Sequence, residues 1–141
     1  MTPTKLTDDL FVGPQITLAN LSGLAEQGFR SIIVNRPDGE SYDQPSFVET
    51  DTAAKPQGLK VRYIPIESGN ITDADIAAFK AAMHEMPKPV FAYCRSGARS
   101  TMMWALAQDE SQSADAVIAT AREAGYDISG LAPRIGQQLR A

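Results

Sequence analysis

Apolar residues in this chain fall in short bursts with a two-residue period, separated by longer stretches with a helical period. Leu10–Val12 reads as a short first strand. Thr17 is placed to cap a helix from about Leu18 to Gln27, with Gly28 as its stop. Phe29–Val34 contains Ile32, Ile33 and Val34, a β-branched run expected of a buried strand. It leads into Asn35-Arg36-Pro37-Asp38-Gly39-Glu40, a turn-rich polar loop. Ser46–Ala54 predicts a weak helix. Leu59–Ile66 alternates as a strand should, with Leu59, Val61 and Tyr63 on one side and Lys60, Arg62 and Ile64 on the other. Thr72 opens a helix to about Met86, with Asp75 as its capping-box partner. Pro87 and Pro89 end that helix and introduce the strand Val90–Tyr93. Helices over Thr101–Gln108 and Ser113–Ala124, the second stopped by Gly125, and a helical piece after Pro133 complete the pattern.

Strands alternating with helices predict an α/β fold: a three-layer α/β/α arrangement around a mostly parallel sheet of about four or five strands. Residues 1–141 read as one domain. Ligands of such folds bind at the carboxyl ends of the strands. Both the Asn35–Glu40 loop and the segment after Tyr93 fall there.

That second segment carries the chemistry. Val90–Ser100 reads V-F-A-Y-C-R-S-G-A-R-S, a strand followed by Cys94, a short loop, Arg99, Ser100 and a helix. The backbone N–H groups of Arg95, Ser96, Gly97 and Ala98 can curl around a negative atom, and the helix N-terminus adds its positive end. Arg99 is a forked, permanently charged donor able to reach back over the loop. Gly97 supplies a position free of a Cβ, which a tight wrap requires. Ser100 is placed to donate a hydroxyl hydrogen bond to the Cys94 sulfur, or to a departing thiolate. A thiol of ordinary pKa, near ~8.5, is mostly protonated at neutral pH, and a helix N-terminus with adjacent arginines is expected to favour the nucleophilic thiolate. A buried, inert cysteine would explain neither arginine.

Composition narrows the partners. Net charge is −4, which disfavours nucleic acid and anionic membranes, so Arg95 and Arg99 beside Cys94 invert the sign locally and imply a small anionic substrate. No apolar run approaches the ~20 residues of a membrane span. Met-Thr-Pro-Thr-Lys lacks the apolar core of a signal peptide, and the chain's one cysteine suits a reducing compartment, so the expected location is cytoplasmic. The cysteine count excludes schemes that need a second, resolving cysteine in this chain. There is no Cys/His cluster to hold a metal, and no cofactor is expected.

Cys94–Ser100 resembles the active loop of single-domain rhodaneses. The rest of the chain resembles dual-specificity protein phosphatases in its order of elements. It is most similar to the bacterial phosphatase-like domain family associated with beta-lactamase-hydrolase-like proteins. The matching motifs are Asn35–Glu40, Ile64–Gly69, Tyr93–Ser100, Trp104–Leu106 and Ala124–Asp127. The resemblance implies a cysteine-phosphatase-like fold and a cysteine nucleophile, and the family is described both as phosphatase-like and as sulfurtransferase-like. A metallo-hydrolase or a sulfide-oxidising protein is the partner class considered for such a domain.

Two departures from the phosphatase pattern lean towards sulfur. Four residues, Arg95 to Ala98, separate cysteine from arginine here, where the phosphatases carry five and rhodaneses have the shorter ring. A tighter ring suits one sulfur atom better than a tetrahedral oxyanion. Phosphatases also need an acid to protonate the leaving alcohol, which typically contributes 10²–10⁴-fold. The stretch where the resemblance places that acid reads Glu67-Ser68-Gly69-Asn70, without aspartate. Glu67 is one candidate, and Asp38 from the neighbouring loop is the other. The leading expectation is sulfane-sulfur transfer from thiosulfate or a persulfide through a Cys94 persulfide. The alternative is phosphoester hydrolysis through a Cys94 phosphothiolate, with Arg99 clamping two oxygens and Asp38 or Glu67 as acid. The third is an anion-binding module without turnover.

The remaining candidates read more plainly. His84, the sole histidine, belongs to a surface or boundary position on its helix. Met102, Met103 and Trp104 are expected to pack the core. Arg36 either lines the site or pairs with Asp38 as a turn brace.

Overall fold

The computed structural model describes residues 2–140. Five strands form one sheet: β1 Thr4–Lys5, β2 Leu10–Gly13, β3 Ser31–Val34, β4 Lys60–Tyr63 and β5 Val90–Tyr93. Their order is β1-β2-β5-β3-β4, with β1 antiparallel to β2 and every other pairing parallel. Between and after them run α1 Asn20–Glu26, α2 Phe47–Ala54, α3 Asp73–Glu85, α4 Ala98–Leu106, α5 Ala114–Glu123 and α6 Ala132–Leu139.

The central strands β3 and β5 are buried at all four positions, because helices cover both faces and leave no wet side for polar residues. Alternation still sorts their side chains. Ile33, Val90 and Ala92 face a core completed by Phe79 of α3, Leu106 of α4, Val117 of α5 and Ile135 of α6. Ile32, Val34, Phe91 and Tyr93 face the opposite core, with Leu21 and Leu24 of α1 and Ala54 of α2. The result is the three-layer α/β/α arrangement.

Register decides where the site lies. Gly13 and Val34 both pair with Tyr93, and Val34 also pairs with Tyr63, so four parallel strands end level. The residues next in line, Asn35, Ile64 and Cys94, therefore emerge side by side on the carboxyl edge.

Several boundaries differ from the sequence pattern for local reasons. Thr17 does not cap α1. Its N–H and its hydroxyl both donate to Asn20 Oδ1, and the helix begins only at Asn20. β4 stops at Tyr63 because Pro65 has no N–H to extend the ladder, although Ile64 and Ile66 still donate to Val34 O and Asn35 O. α4 starts at Ala98, three residues before the expected Thr101, because Gly97 at φ 98° turns the loop directly into the helix. β1 is too short to leave a periodic signal. The capping boxes of α2 (Ser46 with Glu49) and α3 (Thr72 with Asp75) both form. Trp104 and Met103 lie in the core, and His84 is exposed.

Candidate active site

Cys94 follows β5 directly and is only 1% exposed. The Gly97 N–H donates to Sγ at 3.0 Å. The loop carbonyls are drawn away from the sulfur by three different parts of the fold. Arg95 O accepts from the Gln15 N–H at 3.2 Å, and Ser96 O accepts from the Tyr126 hydroxyl at 3.0 Å. Gly97 O accepts from both the N–H and the hydroxyl of Thr101. Pinning the carbonyls outward leaves the Gly97 amide on the sulfur, while the Ala98 N–H donates to Ser96 Oγ at 3.2 Å. Gly97 is required twice over. Its φ is positive, and a Cβ there would lie 2.2 Å from Tyr126 Oη.

Arg99 is buried but does not stand alone. Its Nη1 donates to Glu40 Oε2 at 2.8 Å and to Ile66 O at 2.9 Å, and its Nη2 donates to Glu40 Oε1 at 2.8 Å. Of its five N–H donors, Nε–H and one on Nη2 remain for an anion. Arg99 is pushed above its ordinary value, first by hydrogen bonding to Glu40 and against the opposing effect of burial. Cys94 adds to the rise, which places the sulfur within electrostatic reach of the guanidinium. Glu40 also accepts from Arg36 Nε at 3.0 Å, and Arg36 Nη1 donates to Gln15 Oε1 at 3.1 Å. The Arg99 hydrogen bonds lead in holding the Glu40 carboxyl at about 2, so it is an ionised brace and cannot serve as a proton donor. Arg36 therefore joins the site through Glu40; of its two alternatives, the pairing with Asp38 does not form.

Two sequence assignments need correction. Ser100 does not donate to the cysteine. Its hydroxyl donates to Asn35 Oδ1 at 2.8 Å, and Asn35 Nδ2 donates to Ile64 O at 2.9 Å, all buried. A hydroxyl has one proton to give, and this one ties the start of α4 to the ends of β3 and β4. Asp38 is not aimed at the loop either. Its Oδ1 accepts from the Phe47 N–H at the start of α2, and its own N–H donates to Tyr63 Oη. An acid caught by an orphan helix amide is in an N-capping role. Glu67 remains: it is exposed and lines a hollow of about 220 Å³ together with Arg95, Ser96, Ala98, Arg99 and Met102.

Glu40, Asn35 and Tyr126 were not singled out from the sequence. Glu40 and Asn35 lay inside a loop already placed at the strand ends, and their buried partners are the missing signal. Tyr126 lies in the Ala124–Asp127 motif, but nothing local ties that motif to Cys94, 32 positions earlier. Among the described residues no group of three or more His, Cys, Asp or Glu side chains could hold a metal ion, and no helix is long and apolar enough to cross a membrane.

A buried thiol at the end of a parallel strand, met by the Gly97 amide and followed by a braced arginine at the start of a helix, is the arrangement of an enzyme of the cysteine-phosphatase type. A Neisseria meningitidis protein described as a candidate phosphatase superposes with a TM-score of 0.85 over 96% of both chains at 28% identity. The catalytic core of the PP-IP phosphatase SIW14 from S. cerevisiae shares the fold, with a TM-score of 0.66 over 86% of this chain and 74% of that one at 17% identity. Residues 4–111 match the family described as beta-lactamase hydrolase-like protein, phosphatase-like domain, and the chain belongs to that family. Among curated relatives, beta-lactamase hydrolase-like proteins from Agrobacterium fabrum and Xylella fastidiosa are 37% identical over 108 residues and 34% over 125. These alignments cover 77% and 87% of this chain but only 25% and 29% of those proteins.

Proposed function

We propose that this chain moves sulfane sulfur through a persulfide on Cys94. The observation that carries the reading is the commitment of two of the three carboxylates in the flanking loops, Glu67 being the third. Glu40 is ionised against two arginines, and Asp38 is spent on the α2 N-terminus. A phosphomonoester leaving as an alkoxide needs a proton from such a group. A thiolate or sulfite leaving from sulfur does not.

In the first step the Cys94 thiolate attacks the outer sulfur of the donor. A Cys94 S–S bond forms and the donor S–S bond breaks. The electron pair leaves on sulfite when the donor is thiosulfate, or on a thiolate when it is an organic persulfide. The Gly97 N–H and the free Arg99 donors stabilise charge on the terminal sulfur. An acceptor thiolate then attacks that sulfur and releases Cys94. No step needs an oxidant. A reducing, cytoplasmic setting suits this chemistry. A metallo-hydrolase or sulfide-oxidising unit is a fitting neighbour, since the chain corresponds to 25% or 29% of the length of its curated relatives.

Phosphoester hydrolysis is the second reading. It is favoured by Glu67 at the mouth of the loop and by the phosphatase-type relatives. One pair of measurements separates the two. Intact-mass spectra after brief exposure to thiosulfate or an organic persulfide are expected to show one added sulfur atom on the native chain and none on Cys94→Ser. Unchanged mass with both donors, together with aryl phosphate hydrolysis that falls at least about 100-fold in Glu67→Gln, overturns the sulfur reading.

A further inference from the structure

Three arginines gather at the Cys94 loop, and two of them share one carboxylate. Arg36 and Arg99 are 7% and 8% exposed, and both donate to Glu40. Arg95 differs in each respect. Its side chain is exposed and, among the described residues, makes no hydrogen bond or ion pair. Its backbone is nonetheless fixed, because Arg95 O accepts from the Gln15 N–H. The guanidinium thus hangs from an anchored point one residue from the nucleophile.

Arg95 also stands where two hollows meet. One, of about 530 Å³, is lined by Arg36, Glu40, Ser41, Ser68, Arg95 and Arg99. The other, of about 220 Å³, lies on the far side of Arg95 and Ser68 and adds the apolar side chains of Ile71 and Met102. The larger alone has the volume of a small-molecule site, roughly 300–1,000 Å³. A single sulfur atom or inorganic anion on the loop leaves most of that space unfilled. Glu67, at the rim, disfavours negative charge on its own side and leaves the Ser68–Arg95 side as the anion's place.

We propose that Arg95, with Ser68, is a recognition subsite for a second anionic group on the substrate, so that the preferred donor is an organic persulfide bearing a carboxylate. The identity of the donor rests on the sulfur-transfer reading; the role of Arg95 does not. The loop and Arg99 hold the reacting sulfur, while Arg95 holds the carboxylate several bonds away. Attack on the outer sulfur then gives the Cys94 persulfide and releases the carboxylate-bearing thiolate.

The test uses two donors that differ by one charge, the persulfides of N-acetylcysteine and of its methyl ester. Single-turnover loading of Cys94 is followed by intact mass. The native chain is expected to favour the acid by about tenfold, as one charge-assisted hydrogen bond allows, and Arg95→Gln is expected to reduce the ratio to within about twofold. Arg30→Gln, the same loss of charge on an exposed residue before β3, is expected to keep the native ratio. Equal rates with the native chain, or an unchanged ratio in Arg95→Gln, overturns the subsite. If neither persulfide loads the native chain, an organic persulfide is excluded as the donor whatever Arg95 does. The same comparison then passes to 3-carboxyphenyl phosphate and phenyl phosphate. There, a preference for the acid that Arg95→Gln abolishes supports the subsite, and its absence or persistence overturns it.

Discussion

Replacing Glu40 by Gln probes the brace behind the active-site arginine. The carboxylate accepts two hydrogen bonds from Arg99 and one from Arg36, both guanidiniums being buried. A fall from the ordinary 4.5 to about 2 corresponds to about 3 kcal/mol at neutral pH. The Glu40 side chain is 29% exposed, so solvent screening reduces this to about 2 kcal/mol. At this chain length that is a loss of roughly 6 °C in midpoint. The pH dependence has a definite sign. The unfolded carboxyl takes up its proton near its ordinary value, whereas the folded one resists until about pH 2. The brace therefore stabilises fully above pH ~4.5 and is lost as pH falls towards ~2. Urea titrations of native and Glu40→Gln protein are expected to differ by about 2 kcal/mol at pH 7, with the gap closing between about pH 5 and pH 2. Coincident curves at pH 7, or a gap indifferent to pH, would refute the role assigned to the brace.

Four further substitutions test the loop. Arg99→Lys keeps the charge but loses the fork, and kcat/KM is expected to fall at least about 100-fold in whichever assay the native chain supports. Gly97→Ala forces a Cβ into the positive-φ position against Tyr126 Oη, and steady-state kinetics are expected to show nearly complete loss of turnover. Tyr126→Phe removes the donor to Ser96 O and is expected to lower kcat by roughly tenfold with a smaller change in KM, because the loop loses orientation while its anion donors remain. Ser100→Ala leaves Asn35 Oδ1 without its buried donor, and a urea titration should register a loss of about 1–3 kcal/mol.

Part of this protein is written in local sequence. The continuous apolar runs of Ile32–Val34 and Val90–Tyr93 mark the central strands, because a strand buried on both faces must be apolar at every position. Cys94, Gly97 and Arg99 identify the reactive loop, because amides, a positive φ and a guanidinium are needed within a few residues of one another. The capping boxes of α2 and α3 are equally local. The destination of a side chain's hydrogen bond is not local. Ser100 was close enough in sequence to serve the sulfur, but the ends of β3 and β4 bring Asn35 and Ile64 into place to take that hydroxyl into a buried network. Asp38 had the right chemistry for an acid, yet the orphan amide of α2 claims it. Glu40 reads as one more residue of a polar turn until the fold brings Arg99, fifty-nine positions later, onto it. Tyr126 reaches the loop only because α5 packs against α4 and α6. The sequence by itself determined every element but β1 and marked the cysteine proposed as nucleophile, both of which depend on short-range sterics and periodicity. Tertiary structure decided which polar partners those residues meet, because buried donors and acceptors take whichever partner the register of distant strands brings within about 3 Å.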